Sequence, residues 1–501
     1  MPDHPDPLAR PGSQGAPLAP AAAAPPLSAR DATPSMHGAA SLPGAPRAVL
    51  GLRDAVALIV GLVIGAGIFK APAMVAAMTG SAGWMFAAWV LGGLMSVAGA
   101  LCYAELATTY ASVGGDYHFL HRAYGRSVAF LFAWARFSVI ATGSIALLGF
   151  VFGDYMQAVL PLGAAGNAWA PACYAAGAIV TMTWLNMRSV GAGFFAQSWL
   201  TAVEVGGLLL LVGAALYLLA GGGVPAPAAA PLAPQAASGA APASFGLAMV
   251  FVLLTYGGWN EAACLGAELR DRQRNMVRAL VYSLSIITVL YLLVTWAFWR
   301  GLGLAAMSRS SALAADLLHA AFGPAGAVLI SLIIAVAAIT SINATIIVGA
   351  RSSFAAGRDW PALAPLAVWD CQRSTPANAL RAQCAAALLL VLAGAWSGGG
   401  FKSMVEFTAP VFWLFFLLSG VSLFILRKRD PARERPFRVP CYPMLPLLFC
   451  AMCAYMLWAS LSYVYSQSLG GWNAAWVGVA VLAAGALLLL YVRRAGPAQP
   501  P

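Results

Sequence analysis

Long apolar runs follow one another along most of this chain, separated by short polar segments that carry most of the charged residues. Many of the runs are about 20 residues long, the length at which an α-helix crosses the hydrocarbon core of a bilayer. The third and eighth runs are long for one crossing, which predicts tilted helices or helices that continue beyond the bilayer. We predict an all-α polytopic membrane protein with twelve spans, at residues 53–78, 84–110, 126–158, 170–187, 193–220, 245–268, 279–300, 324–356, 381–397, 403–426, 441–465 and 473–492.

Two of these runs are interrupted near their middle by glycines. The first contains VGLVIGAGIFKAP at residues 60–72, and the sixth contains VFVLLTYGGWNEAACLGAEL at residues 250–269. Glycine adopts conformations that end a helix, and a break in a spanning helix survives only where its free backbone groups line a cavity or bind a ligand. Free N–H groups at the start of a half-helix favour an anion, and free carbonyl groups at the end of one favour a cation. A glycine pair in one run alone would more simply serve close helix packing.

The spacing of the two breaks predicts an internal repeat. Gly65 and Gly257 are 192 residues apart, and five predicted helices fill the interval. Because a five-helix unit crosses the membrane an odd number of times, its second copy enters upside down. We expect two inverted five-helix repeats, spans 1–5 at about 53–220 and spans 6–10 at about 245–426, and two peripheral helices at about 441–492. Broken helices 1 and 6, one at the head of each repeat, predict a substrate site at the midplane of a secondary transporter.

The composition agrees with a membrane protein. Of the 501 residues, 61% are hydrophobic and 9% are charged, and the mean hydropathy is +0.79. Soluble domains carry about 25% charged residues. The net charge of +11 comes from short basic clusters between the apolar runs. That arrangement is typical of membrane topology rather than of nucleic-acid binding.

The basic residues predict the orientation of the chain. With twelve spans and an inner N-terminus, 23 of the 28 Lys and Arg residues fall on the inner side, and only Arg300, Arg309 and Lys402 fall on the outer side. The positive-inside rule then predicts that both termini are cytoplasmic. The Ala, Arg, Gly and Pro content is typical of a GC-rich bacterial genome, so we expect a bacterial inner membrane.

Three segments are predicted along the chain. Residues 1–48 are rich in proline and alanine and predict a disordered cytoplasmic tail. Residues 49–494 predict a single transport domain, and residues 495–501 a second short tail.

No pattern in the sequence indicates an enzyme or a bound cofactor. Five histidines are scattered, no nucleotide-binding loop or Ser/His/Asp pattern is present, and eight cysteines show no extracellular pairing pattern. We therefore predict no catalytic residues, no metal, no cofactor and no nucleic-acid partner. The expected partners are a small-molecule substrate, the lipid bilayer and a proton or sodium ion. A receptor with a transporter-like fold is an alternative that the sequence leaves open.

Six short motifs resemble those of a known transporter family. They are IGAGIF at 64–69, CYAEL at 102–106, GGDYHFL at 114–120, YGGWN at 256–260, RNMVRAL at 274–280 and RPFRVPCYP at 435–443. Over about residues 50–465, their order and spacing resemble the amino acid–polyamine–organocation (APC) superfamily and, within it, the L-amino acid transporter-like permeases. The resemblance implies a secondary active transporter that moves amino acids by alternating access, in proton-coupled symport or in exchange. A polyamine or cationic amino acid transporter of the same fold is the alternative.

The resemblance also implies where an amino acid would bind. The substrate carboxylate would accept hydrogen bonds from backbone N–H groups of the first break, and the ammonium would donate to carbonyl groups of both breaks. The physics of helix ends favours the same arrangement. The implied residues are Gly65, Ala66 and Gly67 as donors, Ile64, Leu254 and Thr255 as acceptors, and Tyr256, Trp259 and Asn260 as cavity walls.

Two charged residues within the predicted spans depart from the family pattern. Relatives often carry a lysine in the fifth span, in the place of a sodium ion, and the matching position here is Glu204. Lys70 directly follows the first break. Because a charge at the bilayer centre costs about 2.5–3.5 kcal/mol on insertion scales, we predict that Glu204 and Lys70 share one electrostatic network. Glu204 could act there as a titratable coupling group; the alternative is a static ion pair that joins spans one and five.

Other polar residues within the spans have two alternative roles each. Glu105 and Arg136 would belong to an inner gate or to a packing network. Glu261 would favour a cationic substrate if it faced the cavity, and an outward-facing or paired side chain is the alternative. A polar cluster in the eighth span lies at the depth of a sodium-like site but could equally link helices: Thr340, Ser341 and Asn343.

Overall fold

Helices make up the regular secondary structure in the part of the chain that the computed structural model describes. It describes residues 51–110, 115–163, 169–188, 193–221, 242–262, 272–370, 375–466 and 474–494. The two predicted tails lie outside these ranges. The α-helices are α1 (Leu52–Val63), α2 (Ala71–Thr79), α3 (Ala82–Thr109), α4 (Asp116–Tyr124), α5 (Arg126–Ala135), α6 (Thr142–Val159), α7 (Trp169–Arg188), α8 (Gly193–Ala220), α9 (Pro242–Thr255), α10 (Trp259–Ala262), α11 (Arg272–Arg309), α12 (Leu313–Asp359), α13 (Ala377–Trp396), α14 (Phe401–Arg429), α15 (Met444–Ser466) and α16 (Ala474–Arg494).

Eight helices among the described residues are long and apolar enough to cross a membrane. They correspond to the predicted spans two, three, five, seven, eight, nine, ten and eleven. Helices also lie in the other four predicted spans, but α1 and α9 are shortened by the breaks, α7 is less apolar, and the apolar part of α16 is shorter. An all-helical membrane protein is therefore confirmed, whereas the count of twelve spans and the inverted repeats stay predictions.

Irregular backbone occurs within the third predicted span and directly before the eighth. In the third, α5 and α6 are joined by a π-helical turn, Arg136–Ala141, into one continuous helical segment. In the eighth, α12 is kinked at Gly323, directly before Pro324. Proline inside a helix removes a backbone hydrogen bond and bends the helix, and this kink coincides with the predicted start of the eighth span.

Helices α6 and α7 approach each other so closely that no side chain fits between them. A Cβ placed on Gly153 would lie 2.1 Å from the carbonyl oxygen of Pro171, which belongs to the backbone of α7. A backbone atom cannot rotate away as a side chain can. The contact therefore requires glycine and holds α6, with Asp154 and Tyr155, beside α7.

Replacement of this glycine tests the close approach. Gly153→Ala should lower the Tm of the purified protein, because α6 and α7 would have to separate; overpacking a close-packed site costs about 1–3 kcal/mol. The matched control is Gly177→Ala in α7, where an added Cβ meets no atom within 4 Å. Equal Tm values for the two variants in a thermal-shift measurement would contradict the packing of α6 on α7.

Candidate functional site

The first break separates α1 from α2 at the glycines that the sequence singled out. Helix α1 ends at Val63, Gly65 is extended (φ −120°, ψ −178°), and a 3₁₀ turn, Ala66–Phe69, follows. Helix α2 begins at Ala71 with Pro72 in its first turn, where a missing N–H leaves no helical hydrogen bond unmade. The predicted interruption of the first span is confirmed.

The second break follows α9, which ends at Thr255. The N–H of Gly257 donates to the carbonyl of Leu254 over 3.1 Å, so one of the three predicted ammonium acceptors already has a donor. Gly258 has a φ of +109°, a conformation that glycine adopts far more readily than other residues, and α10 then begins at Trp259. The predicted interruption of the sixth span is confirmed as well.

The two breaks lie against each other. A Cβ added to Gly67 would lie 3.7 Å from Cγ2 and Oγ1 of Thr255, so the first break contacts the end of α9. A Cβ added to Gly65 would lie 3.8 Å from Oγ of Ser341, which brings α12 to the same place. Four residues predicted from three distant parts of the sequence therefore meet.

A tyrosine hydroxyl bridges the ends of the two interrupted helices. Tyr291, in α11, is fully buried, and its hydroxyl lies 3.1 Å from the carbonyl oxygen of Val63 and 3.1 Å from that of Thr255. Carbonyl groups in the last turn of a helix have no intrahelical donor, so the phenol supplies one. The sequence prediction missed Tyr291, because one tyrosine within an apolar run carries no signal of its own.

The aromatic residues predicted to form cavity walls are packed in two clusters. Tyr256 is fully buried, donates its hydroxyl to the carbonyl of Trp89 over 3.1 Å, and has its ring 5.1 Å from the ring of Tyr291. Trp259 packs edge-on against Tyr103, with ring centroids 5.2 Å apart. Both residues thus lie at the second break. They are held by neighbouring rings, and Asn260 beside them is half-buried.

Lys70 pairs with Asp154 and not with Glu204, so the predicted Lys70–Glu204 network is wrong. The ammonium of Lys70 forms an ion pair with the Asp154 carboxylate in α6 and donates to the carbonyl of Ser311 over 2.6 Å. Lys70 is 6% exposed, and this pairing compensates its burial. The sequence prediction overlooked Asp154, although it could have been found as the only acidic residue in the third predicted span.

Glu204 lies in α8 with 3% of its surface exposed. Its Oε2 accepts no hydrogen bond from the residues described, and no ion pair joins it to a cation in those ranges. Helix α8 packs against α11, the helix that carries Tyr291. A buried carboxylate without a basic partner in the described residues therefore lies in a helix next to that of the bridging phenol.

A cavity of about 300 Å³ opens beside the Lys70–Asp154 pair. We call it the outer vestibule, because Arg309 and Lys402, two of the three basic residues predicted on the outer side, also line it. Its charged lining consists of Lys70, Asp154, Arg309 and Lys402. Lys70 is paired with Asp154, and Lys402 lies 3.7 Å from Glu406, so most of the basic charge is compensated.

The polar cluster predicted in the eighth span does not form one site. Only Ser341 faces the first break. Asn343 accepts a hydrogen bond from Nδ2 of Asn186 in α7 over 2.6 Å, and Thr340 donates to the carbonyl of Val336 in its own helix. At about 100° per residue, Thr340 and Asn343 share one face of α12, and Ser341 points away from both. Asn343 therefore links α12 to α7, which was the alternative role predicted for this cluster.

Glu105 joins two of the sequence motifs to each other. Its carboxylate binds the Arg427 guanidinium through two hydrogen bonds, Nε to Oε1 at 2.7 Å and a terminal nitrogen to Oε2 at 2.5 Å. It also accepts the backbone N–H of Val439 at 2.6 Å and lies 3.7 Å from Arg435. The CYAEL motif in α3 therefore meets RPFRVPCYP, which follows α14. The sequence prediction did not identify Arg427 as the partner.

The structure says less about the roles of two further predicted residues, Arg136 and Glu261. Arg136 lies at the first position of the π-helical turn, with its guanidinium carbon 6.0 Å from the centre of the Phe132 ring. Glu261 belongs to α10, but its side chain lies outside the part of the structure that is described. Its predicted role stays untested.

Comparison with known proteins identifies the family of this chain. Residues 50–487 match the profile of a family described as amino acid permease. The chain is 30% identical over 412 residues to the b(0,+)-type amino acid transporter 1 of Mus musculus, and the match covers 82% of each protein.

Bacterial and human transporters are also similar. The serine/threonine exchanger SteT of Bacillus subtilis is 27% identical over 418 residues, which cover 82% of this chain and 91% of the exchanger. The human large neutral amino acids transporter small subunit 2 is 27% identical over 429 residues, which cover 82% and 76% respectively. The profile match spans most of the chain, and the chain therefore belongs to the amino acid permease family of the APC superfamily.

Proposed function

We propose that this permease carries neutral amino acids by alternating access, with the substrate's charged backbone groups held at the two helix breaks. The contact of the first break with the end of α9 is the observation that carries the proposal. The N–H groups that open the 3₁₀ turn at Ala66 favour a carboxylate, and the carbonyl ends of α1 and α9 favour an ammonium. A zwitterion presents both groups on one carbon, so it matches a paired set of helix ends.

The names of similar proteins support neutral substrates over the polyamine or cationic alternative. Among similar proteins, one is named a serine/threonine exchanger and another a large neutral amino acids transporter subunit. Buried Glu204 is the feature that favours a cationic side chain, and a substrate panel separates these alternatives.

Glu204 is also the candidate for proton coupling. A buried carboxylate without a basic partner is costly when ionised, so an exchangeable proton is the simplest way to neutralise it. In an exchanger, Glu204 would instead stay protonated throughout the cycle, and the pH dependence of transport distinguishes the two modes.

The remaining architecture belongs to the same proposal. Twelve spans, two inverted five-helix repeats, cytoplasmic termini and a bacterial inner membrane are consistent with the positions of the breaks and with the basic residues. They are expected properties of the transporter.

The substrate panel is the first test. In proteoliposomes, neutral amino acids should drive counterflow of a labelled neutral amino acid, whereas polyamines should not. Substrate analogues without a carboxylate, or with an acylated amino group, should fail to compete, because each lacks one of the two charges that the helix ends bind. Counterflow driven by a polyamine would favour the cationic alternative, and binding without counterflow would indicate a receptor.

Gly67→Ala tests the contribution of the first break. An added Cβ would lie 3.7 Å from Thr255, an ordinary contact, so the fold should be retained while the gap for the substrate narrows. We expect at least a tenfold rise in the Kd for the best substrate with little change in Tm. Gly83→Ala in α3, where an added Cβ meets nothing within 4 Å, is the matched control. An unchanged Kd in Gly67→Ala would place the substrate elsewhere.

Glu204→Gln tests proton coupling. The amide keeps the size of the side chain but carries no titratable proton, so uptake should lose its dependence on an imposed pH gradient while counterflow persists. Glu204→Asp retains a carboxyl group and should keep the pH dependence. If uptake by Glu204→Gln follows the pH gradient as the wild type does, Glu204 has no role in proton coupling.

A further inference from the structure

The hydroxyl of Tyr291 lies where the substrate's ammonium is expected. The ammonium acceptors implied at the two breaks are Ile64, Leu254 and Thr255, and Tyr291 already lies 3.1 Å from the carbonyl of Thr255. Its second acceptor, Val63, is the residue next to Ile64. A side chain of the protein therefore uses the same group of carbonyls as the proposed substrate.

The hydrogen bonding at this point is incomplete. A phenol carries one proton and can donate to only one acceptor at a time, although two carbonyls lie at equal distance. Each carbonyl ends an interrupted helix and has no donor within that helix. One of the two therefore lacks the Tyr291 proton at any moment, and an ammonium with three protons could supply the missing donor.

The ring of Tyr291 is held while its hydroxyl proton can turn. The side chain is fully buried, with the ring of Tyr256 at 5.1 Å and that of Trp89 at 5.6 Å. Rotation about the phenolic C–O bond moves the proton between the carbonyls of Val63 and Thr255 without moving the ring. Substrate binding could therefore redirect this hydrogen bond at low structural cost.

We infer that Tyr291 is a positioning residue whose hydroxyl substitutes for the substrate's ammonium in the empty transporter. When substrate binds, the ammonium takes the carbonyl of Thr255 and the Tyr291 proton turns to Val63. The empty site is thus held together by a weaker internal donor, which competes with the substrate. This inference rests on the proposed function, because it requires an amino acid bound at the breaks.

Tyr291→Phe tests the competition through the sign of its effect on binding. The variant removes the internal donor, so the Tm without substrate should fall. Both carbonyls are then open to the ammonium, which in the wild type takes only that of Thr255. The Kd for the best neutral amino acid should therefore decrease by about three- to tenfold, the effect of about one hydrogen bond, and the rise in Tm on adding substrate should be larger than in the wild type. A purely structural tyrosine would lower Tm without tightening binding.

The matched control is Tyr155→Phe. Tyr155 is also fully buried and donates to a backbone carbonyl, that of Phe69 at 2.8 Å, on the other side of the 3₁₀ turn. This variant should lower Tm but leave the Kd unchanged. An unchanged Kd in Tyr291→Phe would reduce Tyr291 to a structural link, and a weaker Kd would mean that it contacts the substrate directly; either result overturns the inference.

A second replacement at Tyr291 adds a hydrogen-bond donor instead of removing one, so its effect on binding does not depend on a loss of stability. Replacement of Tyr291 by 4-aminophenylalanine supplies two N–H protons, so both carbonyls could be satisfied at once and the substrate should bind more weakly than to the wild type. Tighter or equal binding would contradict the competition. If no amino acid shifts the Tm of the wild type, the proposed function fails instead, and that failure is visible before any variant is made.

Discussion

This structure depends on one constraint: every peptide group inside a bilayer needs a hydrogen-bond partner from the protein or its ligand. Two helices that are predicted to span the membrane are interrupted, and each interruption frees carbonyl groups that an intact helix would bond. The chain places both interruptions together, so that one hydroxyl, that of Tyr291, serves the ends of α1 and α9. The same deficit of donors that would destabilise a buried loop is the reason we propose an ammonium at this place.

The positions of the breaks could be predicted from the sequence because glycine reports directly on backbone conformation. Gly65 is extended and Gly258 has a positive φ, and each marks the end of a helix. Tyr291 and Asp154 could not be predicted in this way. Their roles arise only when α11 and α6 are packed against the first span, and nothing in the local sequence encodes which helices become neighbours. The number of spans was predicted from the length and apolarity of each run. These criteria do not identify α7 or the broken helices α1 and α9 as spans.

The intramembrane charges show the same limit. The cost of burying a charge predicted that Lys70 and Glu204 each need a partner. Which partner each one finds depends on the direction of its side chain, which the sequence does not give. Lys70 reaches Asp154 and leaves Glu204 without a basic partner among the described residues. The failed prediction is informative, because it separates the Lys70–Asp154 ion pair from the carboxylate that we propose for proton coupling.

Glu105 has a consequence for how the opposite end of the molecule can move. Its carboxylate accepts three hydrogen bonds, two from Arg427 and one from the Val439 N–H, and Arg435 lies 3.7 Å away. One buried carboxylate thus holds α3 to both α14 and the segment after it, and moving α3 away would leave it without these donors. Separation of α3 from these partners should therefore require water to enter and replace them.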